Sequence, residues 1–168
     1  PDAPKRIRKI VDTIALKVPG KPLKVALTCH SGGGAFLFSF IDGGDAIPAG
    51  INRIAWLDAV YAYDDAEHHH GDKLIAWLKG DDSRTMVVIS YDDRNITLNG
   101  KKVVSDTGGT YRASHRMIDR FNRDVPLAES TQGDFARFTG LDGRVTFLIH
   151  PNPEVKILHT VLVERNGL

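Results

Sequence analysis

The sequence predicts an α/β fold, a mostly parallel sheet flanked by helices, and three observations carry that prediction. Four apolar, β-prone runs alternate along the chain with segments of helical spacing, the pattern of successive βαβ units. The first of these runs empties into the glycine cluster Gly32-Gly33-Gly34, the place for a sharp strand-to-helix turn. A length of 168 residues with 42% hydrophobic content supports one domain, residues 1–168, with a substantial core, and is short for two.

Residues Pro4 to Leu16 open the chain as an amphipathic helix. Ile7, Ile10, Val11, Ile14 and Ala15 share one face, Lys and Arg lie opposite, and Pro19-Gly20 ends the pattern. Lys24 to Cys29 is the first strand, followed by the apolar helix Ala35 to Ile41 and the loop Asp42 to Pro48. Arg53 to Asp58 reads as a second buried strand. A polar loop follows Tyr61-Ala62-Tyr63, and Leu74, Ile75, Trp77 and Leu78 give Asp72 to Lys79 helical spacing. Thr85 to Tyr91 is the third strand, closed by Asp92-Asp93.

Ile96 to Val104 carries two short β-prone arms around Asn99-Gly100, a strong hairpin signal, and this hairpin is expected outside the main sheet. Thr107 to Thr110 leads into a helix near Ser114 to Phe121, and a loop-rich stretch precedes the fourth strand, Arg144 to His150. Ile157 to Glu164 is open between strand and helix. Alternation of this kind predicts a parallel sheet covered on both faces, whose ligands bind beyond the carboxyl ends of the strands. Ser31, Asp58, Asp92 and Asp93 all fall at such ends.

The charges nearly cancel, at +1, and Lys and Arg are scattered rather than striped, which argues against nucleic acid and anionic membranes and for a small neutral or weakly charged substrate. One cysteine excludes an internal disulfide framework, and no Cys/His spacing matches a structural zinc site. No apolar run reaches the length of a membrane helix, about 18 residues. Compartment is left open.

Ser31 stands out chemically. In Cys29-His30-Ser31-Gly32-Gly33 small residues flank a serine at the tip of a strand, and the helix that follows brings its N-terminal dipole and free N–H groups to the serine oxygen. This stretch resembles the nucleophile elbow of the α/β-hydrolase family, usually Gly-x-Ser-x-Gly, with Cys29 in place of the first glycine. The resemblance runs over almost the whole chain but matches only the C-terminal half of the family fold, and it implies an esterase- or lipase-like serine hydrolase without a cofactor.

Under that resemblance Ser31 is the nucleophile, an acid follows it in the chain, and a histidine follows the acid. Asp92 and Asp93, after the third strand, are the preferred acids, with Asp58 as the alternative. His159 is the preferred base over His150, which ends a strand and precedes Pro151. The N–H of Gly32 supplies one oxyanion donor. The second donor and the earlier strands are expected from a missing N-terminal segment or another chain, which leaves an unpaired sheet edge. The expected reaction is cleavage of a carboxylic ester, less favourably an amide, through an acyl-enzyme.

Two other functions fit the same residues. The first is a catalytically silent binding domain that retains the elbow shape; the second is a phosphate-binding module using the loop from Ser31 to Gly34. His68-His69-His70 reads as a solvated loop rather than a metal site, Cys29 as a small buried residue, and His115, between Arg112 and Arg116, as a surface residue. Trp56, Tyr61, Tyr63 and Tyr111 read as core or pocket lining.

Overall fold

The computed structural model describes residues 2–18 and 24–166. Helix α1 (Ala3–Lys17) is followed by strand β1 (Val25–His30), helix α2 (Gly33–Asp42), strand β2 (Ile51–Leu57), a 3₁₀ turn (Val60–Ala62), helix α3 (His70–Lys79) and strand β3 (Thr85–Tyr91). The small hairpin β4 (Thr97–Leu98) and β5 (Lys101–Lys102) precedes helix α4 (Thr110–Phe121). Strands β6 (Ala128–Gln132), β7 (Phe135–Gly140) and β8 (Val145–His150) and helix α5 (His159–Asn166) complete the chain. Pro19-Gly20, predicted to end the first helix, lies outside the described residues.

Six strands form one sheet in the order β1-β2-β3-β8-β7-β6, with β1 at one edge. β1, β2, β3 and β8 run parallel; β7 and β6 add on antiparallel. The strand order from β1 to β8 never reverses, and crossovers of one hand in one direction deliver every connecting helix to the same face. That face holds the main core, where Leu37, Phe38, Phe40 and Ile41 of α2 meet Trp56, Met86, Val88 and Phe147 of the strands and Leu74, Met117 and Phe121 of α3 and α4. Alternation turns Val25, Leu27 and Cys29 toward this core and Ala26, Thr28 and His30 the other way.

Both faces of the sheet carry helices, as alternation predicts, but the coverage is unequal. Among the described residues, beyond the hairpin only α5 packs on the second face, where Leu162 joins Ile89, Tyr91, Ile96 and Leu148. A groove lined by Thr28, Arg53, Ala55, Leu57, Val87 and Val163 stays open beside it. The apolar face of α1 is likewise half-covered: Ile7 and Val11 touch the core, but Ile10 and Ile14 remain 50% and 59% exposed.

Two further differences from the sequence reading have physical causes. The stretch read as loop-rich contains the β6–β7 hairpin, because β6 is exposed along its length and carries no alternating apolar signal. Its turn is built on Gly133 at φ +57°. The C-terminal segment, left open between strand and helix, is helical from His159. The Asn99-Gly100 hairpin stands apart from the main sheet as expected, with both turn residues at positive φ. No helix among the described residues is long and apolar enough to cross a membrane.

Candidate active site

Strand register builds this site before any side chain is considered. His30 pairs with Leu57 across β1 and β2, so Ser31 and Asp58, one residue further on, end neighbouring strands about 4.8 Å apart. Both leave the strand in the left-handed region, Ser31 at φ +53° and Asp58 at φ +47°. A non-glycine residue held there costs on the order of 1–3 kcal/mol, and such strain concentrates at functional sites.

The glycines after Ser31 make the turn possible. A Cβ on Gly33 would sit 3.1 Å from that of Cys29, so the residues two before and two after the serine pass as closely as an elbow requires. A Cβ on Gly34 would overlap the carbonyl oxygen of Ala59, the residue after Asp58. Gly34 thus lets the first turn of α2 dock directly on the segment that carries the carboxylate. Gly34 N–H donates to the Ser31 carbonyl at 3.0 Å, while the N–H groups of Gly32 and Gly33 precede any intrahelical acceptor. Cys29 faces the core, and burial pushes its thiol up to about 12, which leaves it unreactive.

His159, the first residue of α5, meets this corner from the second face of the sheet. Its Nδ1 donates to Asp58 Oδ2 at 2.5 Å, and its ring lies 4.3 Å from that of His30, the residue preceding Ser31. His30 Nε2 donates to the His159 carbonyl at 3.1 Å. The connection that delivers His159 is fixed by Asn152, whose amide donates to the carbonyls of Asp92 and Lys156 and whose oxygen accepts from Lys156 N–H. The Leu158 N–H donates to the Tyr91 phenol oxygen, and burial pushes that phenol up to about 12.

Asp58 is 3% exposed and has a second partner, the Thr110 hydroxyl, which donates to Oδ1. The carboxylate is thereby held at both oxygens, one by Thr110 and one by His159. Thr110 Oγ1 also lies 3.3 Å from Asp93 Oδ2, but a hydroxyl has one proton to give and the shorter contact is to Asp58. Asp93 instead caps α4, accepting from Thr110 N–H at 2.7 Å and Tyr111 N–H at 3.4 Å. Burial first, and the Asp58 charge second, push its carboxyl above the usual range.

These contacts reverse the preference between the candidate acids. The histidine bonds Asp58, not Asp92 or Asp93. β3 lies one strand further from β1, and both of its carboxylates are occupied there: Asp93 by α4, Asp92 by a two-pronged pair with Arg94 at 2.9 and 2.6 Å. The Arg94 hydrogen bonds hold the Asp92 carboxyl below its ordinary range.

The remaining histidines lie elsewhere. His150 Nδ1 accepts from Asn152 N–H at 3.0 Å and its ring meets Phe135 edge-on. His115 packs on Tyr111 within α4. His70 is buried rather than solvated: with His68 it contacts Asp42, and the three present donor atoms within 4.8 Å of one another. Lys73 also sits on Asp42 at 3.2 Å, and His70 Nδ1 accepts Asp64 N–H, which leaves the proton on the Nε2 that faces Asp42. Trp56 and Tyr63 belong to the core, Tyr61 is exposed, and Tyr111 carries Arg94 over its ring.

His30, Gly34, Tyr91, Thr110 and Asn152 are the contributors that reading for motifs passes over. His30 and Gly34 lie beside Ser31 in the sequence, and strand alternation turns His30 toward α5. Comparisons of the chain with protein-family models, with curated proteins and with solved structures find no significant match.

Proposed function

We propose that the chain carries the serine-acid-histidine centre of an α/β-hydrolase-like serine hydrolase, with Ser31 as nucleophile, His159 as base and Asp58 as acid. The observation that carries this reading is the pairing of His159 with a buried carboxylate at a strand end directly beside a serine held at φ +53°. A serine hydroxyl becomes a useful nucleophile only when an oriented base accepts its proton, and a carboxylate on Nδ1 leaves Nε2 free for that task.

In the proposed cycle Ser31 Oγ attacks the acyl carbonyl as its proton passes to His159 Nε2. The oxyanion that develops is met by Gly32 N–H at the start of α2. The imidazolium, balanced by Asp58, returns the proton to the departing alcohol, or amine in an amide. Water, deprotonated by the same imidazole, then releases the acid and restores Ser31. Carboxylic esters are the preferred substrate class, with no cofactor in the cycle.

The same geometry weighs against the phosphate cradle. A buried carboxylate one strand from Ser31 repels a dianion, and among the described residues no Lys or Arg bonds Asp58 to neutralise it. Hydrolysis of a series of nitrophenyl esters by the full chain tests the proposal. Ser31→Ala is expected to lower the rate on the order of a thousandfold or more with the fold intact. Near-normal turnover by that variant removes the assignment.

A further inference from the structure

Given the reading of Ser31, His159 and Asp58 as the reacting centre, on which this inference rests, we propose that His30 is its positioning residue. His30 fixes the base through a hydrogen bond to the His159 backbone and a tilted ring packed against its imidazole.

The geometry follows from strand alternation. Val25, Leu27 and Cys29 are turned into the helical core, so the last residue of β1 points to the other face, where α5 begins. There His30 Nε2 lies 3.1 Å from the His159 carbonyl oxygen, and the two ring centres are 4.3 Å apart at an angle of 36°. A carbonyl only accepts, so the proton of this hydrogen bond sits on His30 Nε2. One side chain thus holds the base in two ways, through its main chain and across its ring.

The two contacts constrain different freedoms. Asp58 fixes one atom of the imidazole, Nδ1, about which the ring can still tilt. The His30 ring packed against it limits that tilt, and the bond to the His159 carbonyl sets where the ring is rooted. His30 is also bonded along the chain to Ser31. A displacement of β1 therefore carries the serine and the support of the histidine together, preserving their separation. Such preorganisation acts on kcat, because small misplacements of a base cost rate without loosening substrate.

The test compares His30→Phe, which keeps a ring of similar outline but loses the donor, with His30→Gln, whose amide nitrogen reaches about as far as Nε2. Ester turnover and labelling of Ser31 by a fluorophosphonate are read in the full chain, with melting temperature measured beside them. His30→Phe is expected to lower kcat and the labelling rate about tenfold at unchanged KM, and His30→Gln to recover most of the loss. Equal rates for His30→Phe and the parent overturn the inference. So does a loss shared by both variants that tracks a lowered melting temperature, since that marks a purely structural role. Failure of the parent to label at Ser31 overturns the reading beneath it as well, and the parent measurement separates these cases.

Discussion

Asp58 and Asp93 end neighbouring parallel strands, are 3% and 5% exposed, and both contact Thr110. Their surroundings nevertheless give them different chemistry. Asp58 accepts from a hydroxyl and an imidazole, both side-chain groups, and the imidazole belongs to an element that arrives from another part of the chain. Asp93 accepts from the main-chain N–H groups that open α4 and is spent on holding a helix. A carboxylate at a strand end is thus assigned by its neighbours in the sheet. Asp58 adjoins the strand that carries Ser31; Asp93 adjoins α4.

The largest expected effect separates these two rims directly. Asp58→Asn should lower ester hydrolysis about a thousandfold, because the amide no longer stabilises the imidazolium or selects its tautomer. Asp92→Asn should leave hydrolysis within about threefold of the parent, since that carboxylate serves Arg94. Reversal of these two outcomes, measured as kcat on one nitrophenyl ester, transfers the acid to the rim of β3.

A smaller effect tests how the β2 rim is assembled. Gly34→Ala forces a methyl group against Ala59 O, and the backbone must yield. Chemical denaturation should show a loss of about 2–3 kcal/mol. Gly32→Ala, with no atom within 4 Å of the added carbon, should cost far less. Equal losses at the two glycines would contradict the close docking of α2 on the segment after Asp58.

The smallest effect lies at the other rim and depends on pH. Arg94 lowers the Asp92 pKa in the folded protein, so the pair stabilises the fold above the ordinary carboxylate range. That contribution is lost as pH falls through the lowered folded value. Arg94 is 41% exposed, which limits the contribution to about 0.5 kcal/mol at neutral pH. Asp92→Asn should show this difference near pH 7 and converge with the parent in acid. A difference that persists in acid would assign the loss to packing.

Much of the fold was legible because its signals are local. Thr85–Tyr91 is a continuous β-prone run, α3 and α4 bury regular stripes, and Asn99-Gly100 encodes its own turn. β6 was not legible, because five exposed residues have no hydrophobic period to display. At the candidate site, Ser31 and His159 stand out by motif and chain order. The choice among the carboxylates does not, since it depends on which strands are neighbours and on Arg94 and α4 occupying Asp92 and Asp93. Gly34 looks like one more glycine until Ala59 is placed against it, and Thr110 matters only because α4 starts beside β2.

The central claim is that Ser31 is activated through His159 by Asp58, and covalent labelling tests it most directly. The full chain, Asp58→Asn and Asp92→Asn are treated with a fluorophosphonate, and the modified peptide is identified by mass spectrometry. Modification is expected at Ser31 in the parent and in Asp92→Asn at similar rates, and at least a hundredfold slower in Asp58→Asn. An unmodified Ser31 in the parent, or an equal rate in Asp58→Asn, would contradict the claim.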